Sequence, residues 1–207
     1  MYKSVLFLFF CPSRLVTYLL PGHEQDILES IFPEFLSKEA RDAIMGFLPG
    51  RRFDLLYRAS LDGWSVADFH RLCVGQGPTV TIFTTDQGYI FGGYAQQPWI
   101  SGYYDSCIAD ANAFLFSVKR PGGLGPTKLE LVAGRHDHAL RISPSLGPAF
   151  GDTSQALVCS QPNGSAYVMI GGRSVYQWPG GASPGNFFTR STPCVLAEVV
   201  VFKVTAQ

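Results

Sequence analysis

LLYRASLDGWSVADFHRLCVGQGPTVTIFTTDQGYIFGGY, residues 55–94, holds the change of hydrophobic period that decides the fold. Phe53 to Arg58 reads as a short strand, and Asp62-Gly63 turns the chain. Ser65 with Asp68 three residues on is a capping box, in which each satisfies a backbone N–H of the other. The helix it opens places Val66, Phe69 and Leu72 on its inner face. Thr79 to Thr85 is β-branched, Asp86-Gln87-Gly88 is a tight turn, and Tyr89 to Tyr94 returns as the partner strand. Gly92 and Gly93 lie inside that second strand, where glycine marks a bulge or a close approach by another backbone. Trp99, in the loop that follows, is the expected cover for this flat patch.

Downstream the strands continue. Ala113 to Lys119 and Lys128 to Ala133 are separated by Pro121-Gly122-Gly123-Leu124-Gly125-Pro126, a run of breakers that reads as loop. Ala139 to Ile142 adds a short strand. Gln155 to Ser160 and Ser165 to Ile170 flank Pro162-Asn163-Gly164, a hairpin signal because Asn and Gly accept positive φ. Residues 171–185 read as loop. Val195 to Val204 is nearly continuous in apolar residues, the pattern of a central strand covered on both sides. Short turns between successive strands predict an α+β, mainly β domain, a two-sheet antiparallel β-sandwich with flanking helices.

Upstream, His23 to Phe32 reads as a helix ended by Pro33. Ser37 caps a second helix to about Phe47, with Leu36, Ala40, Ala43, Ile44 and Phe47 as its apolar stripe. Pro49-Gly50-Arg51-Arg52 reads as a break before the main domain. The chain thus divides into an apolar N-terminal segment (1–22), a helical region (23–50) and the sandwich (51–207). Val5 to Cys11 has the apolar character of a short secretory signal or anchor, but Pro12-Ser13-Arg14 interrupts it. A bilayer span needs about 20 apolar residues. A buried or truncated upstream segment is the preferred reading.

The 207 residues carry 16 basic and 16 acidic side chains, net charge zero, with no block of one sign. A nucleic-acid binder needs a basic face to neutralise phosphates, so that class is set aside. Cys11, Cys73, Cys107, Cys159 and Cys194 are odd in number and widely spaced, which indicates neither a zinc site nor a disulfide framework. They read as thiols in a reducing compartment.

Four patterns could carry chemistry. On a strand, His136 and His138 would share one face and reach one metal, yet no further ligands cluster nearby. His70 and Cys73 lie three apart on a helix, where an imidazole can activate a thiol; Cys107 reads as a thiol in a polar, more exposed loop. Gly181-Ala182-Ser183-Pro184-Gly185 matches the nucleophile string of hydrolases but lacks the strand–elbow–helix context. Asn163-Gly164-Ser165 fits a glycosylation acceptor that matters only in a secreted chain. Phe91-Gly92-Gly93-Tyr94 opens no helix and is no phosphate loop. No catalytic, cofactor-binding or metal residue is assigned, and no cofactor is expected.

Taken in order, several segments resemble the TLDc family. Leu56-Tyr57-Arg58-Ala59-Ser60 with Asp62-Gly63 is similar to its entry motif. Phe69-His70, Cys73 and Gly77-Pro78-Thr79 resemble its helix and first hairpin strand, and Gly88 to Tyr94, followed by Trp99, its double-glycine strand. Asn112 to Ser117, Ser143 to Pro148 with Phe150-Gly151, and Glu198 to Val204 complete the set. The chain departs from the family's pattern at Ala111, Asp152-Thr153-Ser154 and Val200. The resemblance implies a sandwich of two antiparallel sheets and a non-enzymatic role. It further implies a link to oxidative-stress protection and docking on a protein partner such as the vacuolar-type proton ATPase. Cytoplasmic placement, with membrane association at vacuolar or endolysosomal surfaces only through that partner, would follow. The alternative is a thiol-based peroxide scavenger or redox sensor using Cys73 or Cys107.

Overall fold

The computed structural model describes residues 36–101, 104–152, 157–160, 167–170, 175–179, 187–190 and 193–206. The expected helix at His23 to Phe32, the apolar N-terminal segment, the Asn163 turn and the Gly181–Gly185 string lie outside the described residues. The chain separates into two compact units, Met1–Arg41 and Asp42–Gln207. The following concerns the second, together with the helix that begins just before it.

That helix is α1 (Lys38–Phe47). The Ser37 side chain accepts from the Ala40 N–H at 3.3 Å, as its sequence predicts. Strand β1 (Arg51–Arg58) begins two residues before the expected Phe53, so the break is confined to Pro49-Gly50, where Gly50 takes φ 65°. A single helical turn, α2 (Ala59–Asp62), intervenes before Gly63. α3 (Val66–Cys73) carries the predicted capping box in full, with both Ser65–Asp68 exchanges formed. Its buried residues are Phe69 and Cys73, while Val66 and Leu72 are half-buried.

The hairpin β2 (Thr79–Thr85) and β3 (Ile90–Ala95) follows, then β4 (Ser106–Ile108), β5 (Phe114–Lys119) and β6 (Thr127–Leu129). The expected strand Lys128 to Ala133 therefore ends early, and Leu131 instead forms an isolated bridge to Tyr176. The remaining strands are β7 (Leu140–Ile142), β8 (Ala149–Phe150), β9 (Leu157–Ser160), β10 (Tyr167–Ile170) and β11 (Cys194–Ala206).

All strand pairings among the described residues are antiparallel. One sheet runs β1-β11-β2-β3-β5-β6 and the other β4-β7-β8-β9-β10. They are joined by β11, whose first residues pair with β10 while the rest sits between β1 and β2. This confirms the central placement read from its apolar run. Its burial changes along its length: Cys194 to Ala197 alternate buried and exposed, and Glu198 to Phe202 are buried throughout. A bulge between Leu196 and Glu198 lies where the pattern changes.

Between the two sheets lies the expected sandwich core, with Phe83, Phe91, Leu115, Phe150, Leu157, Phe188 and Val201 among its members. Phe91 stacks on Phe188 with centroids 4.9 Å apart, and Trp99 meets Phe150 edge-on at 5.5 Å. The double glycine is explained here. A Cβ on Gly93 would fall 2.6 Å from the Phe150 ring, which belongs to the opposite sheet. A Cβ on Gly92 would fall 1.9 Å from the Thr81 carbonyl oxygen of the adjacent strand. The flat patch is thus covered by Phe150, not by the expected Trp99. Trp99 stands one ring further out, its indole N–H donating to Thr79 Oγ1 at 3.0 Å.

On the outer face of the first sheet, Tyr94 stacks on Phe114 at 5.2 Å. Phe47, at the end of α1, packs on Phe114 and Phe116. This is why an apolar stripe of the helix can end on a sheet whose outer face is aromatic.

Candidate functional site

The entry motif and the closing strand, 140 residues apart, meet at one buried carboxylate. Glu198 is 7% exposed and accepts from Arg58 Nε at 2.9 Å, Ser60 Oγ at 2.5 Å, and the backbone N–H groups of Ser60 and Val199 at 3.1 Å each. Ladder pairing of Arg58 with Val200 brings the two elements together. Asp62 Oδ2 accepts from the Arg58 N–H at 2.8 Å, and Tyr57 donates its hydroxyl to the Gly63 carbonyl at 2.9 Å. Burial drives the Tyr57 phenol well above its ordinary pKa, with smaller contributions from Cys159, Cys73, Asp68 and Asp62. The arrangement clasps residues 57–63 onto β11. A carboxylate so fully occupied is a fastener; its lone pairs are taken by donors that hold the backbone in place.

A second carboxylate works the same way. Asp110 is 2% exposed and accepts from the N–H groups of Gln96 at 2.6 Å and of Gln97 and Asn112 at 2.9 Å. It fixes the segment leaving β3 against the segment entering β5.

The candidate thiols fall into two environments. Cys73 is fully buried in the inter-sheet core. Its helical neighbour His70 has Nε2 2.9 Å from the Leu146 carbonyl, so that nitrogen is engaged in joining α3 to the loop before β8. Cys107 is not in a polar loop: it lies on β4, half-buried, opposite Arg141 of β7. Burial pushes its thiol up and Asp152 adds to this, against the weaker pull of Arg141. A thiol raised in this way is a poorer nucleophile at neutral pH, the opposite of an activated thiolate. Cys159 is entirely enclosed and its pKa is pushed up to about 12 by burial, with Cys194 adding to it. Cys159 and Cys194 both pair with Val168, one from each side, so two strand intervals, about 10 Å, separate them. A disulfide needs Cα atoms within about 7 Å.

The histidine pair is placed differently from expectation. His136–His138 forms a 3-10 turn, not a strand, so the period-two argument for a shared face fails. His136 Nε2 lies 3.0 Å from Asp137 Oδ1 on the exposed turn. Among the described residues no group of three or more His, Cys, Asp or Glu side chains could hold a metal. Nearby, Arg141 forks onto Asp105 and holds its carboxyl below the usual carboxylate range, and Arg135 pairs with Asp152 at 3.0 Å.

An open concavity on the outer face of the first sheet measures about 320 Å³. Its floor is formed by Leu48, Tyr94 and Phe114, and its exposed rim by Arg51, Gln96, Asn112 and Lys128. The Asp110 fastener holds two of these rim residues, Gln96 and Asn112, by their backbones. Sequence reading did not find this groove, because its rim comes from four segments between residues 51 and 128 and nothing in their sequence marks them as sharing a face.

A second, narrower recess is bounded by His70, Trp99, Arg141 and Leu146. Among the described residues no helix is long and apolar enough to cross a membrane.

The family model described as TLDc domain matches residues 30–174, about seven-tenths of the chain, and the chain belongs to that family. No curated protein matches it.

Proposed function

We propose that this TLDc-family chain is a non-catalytic interaction module that contributes to oxidative-stress resistance by docking on a larger protein assembly. The vacuolar-type proton ATPase is the partner we favour, because several members of the family bind it and affect its assembly. Family membership over residues 30–174 is the observation that carries this reading. The internal chemistry supports it. The two buried carboxylates among the described residues, Glu198 and Asp110, are spent on backbone and side-chain donors that organise the fold. Cys73, Cys159 and Cys194 are sealed in the core, and burial raises the Cys107 thiol. What the surface offers is a β-sandwich with a polar-rimmed groove, a form suited to recognition. Neutral net charge fits a protein partner better than nucleic acid. Any residence at a membrane surface would come through the partner.

The test is capture of the isolated peripheral sector of the pump by the purified full chain, with ATP, with ADP and without nucleotide. Saturable binding in at least one condition is expected. Absence of binding in all three removes the pump from the proposal.

A further inference from the structure

Residues 121–126, Pro-Gly-Gly-Leu-Gly-Pro, join β5 to β6 as an exposed loop. Pro121–Gly123 forms a 3-10 turn, with Gly122 at φ 85° and Gly123 at φ 67°. A Cβ on Gly122, Gly123 or Gly125 would meet nothing within 4 Å. Leu124 is 58% exposed, an apolar side chain held out in water. The Gly123 N–H donates to the Arg120 carbonyl at 3.4 Å, and the Gly125 carbonyl accepts from the Thr127 hydroxyl at 3.1 Å. Both bonds close on the loop's own ends. Exposed loop tips made of small residues are preferred points of proteolytic attack.

The loop holds no Lys, Arg, Asp, Glu or aromatic residue, so a protease that reads a charged or aromatic side chain finds nothing to grip. Leu124 is the large side chain it presents. An extended segment binds as an added strand, through main-chain hydrogen bonds and pockets for alternate side chains. Cutting after Leu124 would put Pro126, which has no N–H, at the second position past the bond. Cutting before it puts Gly125 there, which keeps its N–H. Gly122 and Gly123 can leave positive φ for extended backbone without steric cost. Six extended residues span about 20 Å, so Thr127 and Lys128 leave the sheet edge while the enzyme is bound. β6 is three residues long and ends the strand order of its sheet, which keeps that opening local.

We propose that the Gly123–Leu124 bond is a processing site for a zinc endopeptidase with a leucine pocket just past the scissile bond, and that the product is a folded two-chain protein. Water adds across the peptide bond and leaves a carboxylate on Gly123 and an ammonium on Leu124, both at exposed positions. The topology keeps the pieces together. Residues 1–123 carry β1 to β5, and residues 124–207 carry β6 to β11. β11, from the second piece, lies between β1 and β2 of the first, and β4–β7 and β5–β6 also pair across the cut. Arg120 Nη2 donates to Thr127 Oγ1 at 3.2 Å and bridges the two sides of the loop. Leu129, 1% exposed, anchors the far side in the core. The site goes beyond the interaction-module reading and holds whatever partner the module takes.

The experiment is digestion of the full chain in native buffer by thermolysin, a zinc endopeptidase that cuts before leucine, with the products weighed by mass spectrometry. Fragments that meet at Gly123 and Leu124 are expected. They should co-elute from a sizing column at the parent volume and part only in urea. Leu124→Asp, at an exposed position, should keep the parent's circular dichroism and slow cutting at this bond by about tenfold or more. A bond that stays whole in native buffer while it is cut in urea, an unchanged rate in Leu124→Asp, or pieces that separate without denaturant overturns the proposal. Gly92→Ala distinguishes local from global opening, because it weakens the sheet far from the loop in sequence. An unchanged cutting rate in that variant supports the site. A rate that rises in step with the lost stability marks attack on the unfolded chain and overturns it.

Discussion

Gly92→Ala is the sharpest probe of how the sandwich is assembled. Position 92 pairs with Ile82 on one side and Phe116 on the other, in the middle of the first sheet. A methyl carbon there would sit 1.9 Å from the Thr81 carbonyl oxygen and 2.8 Å from Phe116 Cζ. Ordinary contact begins at 3.4 Å, so β2 and β3 would have to part by about 1.5 Å. A separation of that size breaks the adjoining ladder bonds, each contributing about 0.5–1.5 kcal/mol. Overpacking adds about 1–3 kcal/mol. The sum is about 3–5 kcal/mol, or a fall in Tm of roughly 10 °C for a domain of this size. Gly93→Ala meets the Phe150 ring, a side chain and not backbone, and should lose about 1–3 kcal/mol. Gly46→Ala, at an exposed position of α1 with nothing within 4 Å, should gain about 0.5–1 kcal/mol. Urea unfolding followed by circular dichroism reads all three. A Gly92→Ala protein within about 1 kcal/mol of the parent, or a reversed order of the three variants, would refute the close-approach reasoning.

Glu198→Ala removes the fastener and its buried ion pair with Arg58, so a loss of about 2–4 kcal/mol is expected; adding Arg58→Ala should recover part of it in a double-mutant cycle read by urea unfolding. Ser65→Ala deletes the α3 cap and should lower stability by about 1 kcal/mol, with the change confined to the unfolding midpoint. Cys159 has a folded pKa of about 12, raised above the unfolded value near 9, so its contribution is complete below pH 9 and is lost as pH climbs toward 12. A Tm series from pH 8 to 10 should therefore fall above pH 9, and Cys159→Ala should flatten that decline; an identical slope in the variant counts against it. Among the described cysteines, native-state alkylation followed by mass spectrometry should modify Cys107 first and leave Cys73, Cys159 and Cys194 protected, and Cys107→Ser should leave peroxide consumption unchanged.

Local signals were legible residue by residue. The Ser65–Asp68 box, the Ser37 cap, the Thr79–Thr85 hairpin and the apolar run of β11 each depend on near neighbours in sequence, and each formed as read. Errors arose where a remote partner chose the conformation. His136–His138 has no alternation to specify a strand, and it turned as a 3-10 element. Cys107 looked like loop because three-residue β4 exists only by pairing with β7, more than thirty residues later. Gly92 and Gly93 announced the approach of another backbone; the Thr81 carbonyl answers that at Gly92, but at Gly93 the approaching group is the Phe150 ring, which only packing could name.

Sequence alone determined the class of fold and the family, since hydrophobic period, caps, turns and the ordered motif segments are all properties of short stretches of chain. Tertiary structure decided that one strand, β11, belongs to both sheets, that Glu198 fastens residues 57–63, and that Arg51 and Lys128 bound one groove. Those outcomes depend on which distant segments share a face, and side-chain spacing carries no record of that once a turn intervenes.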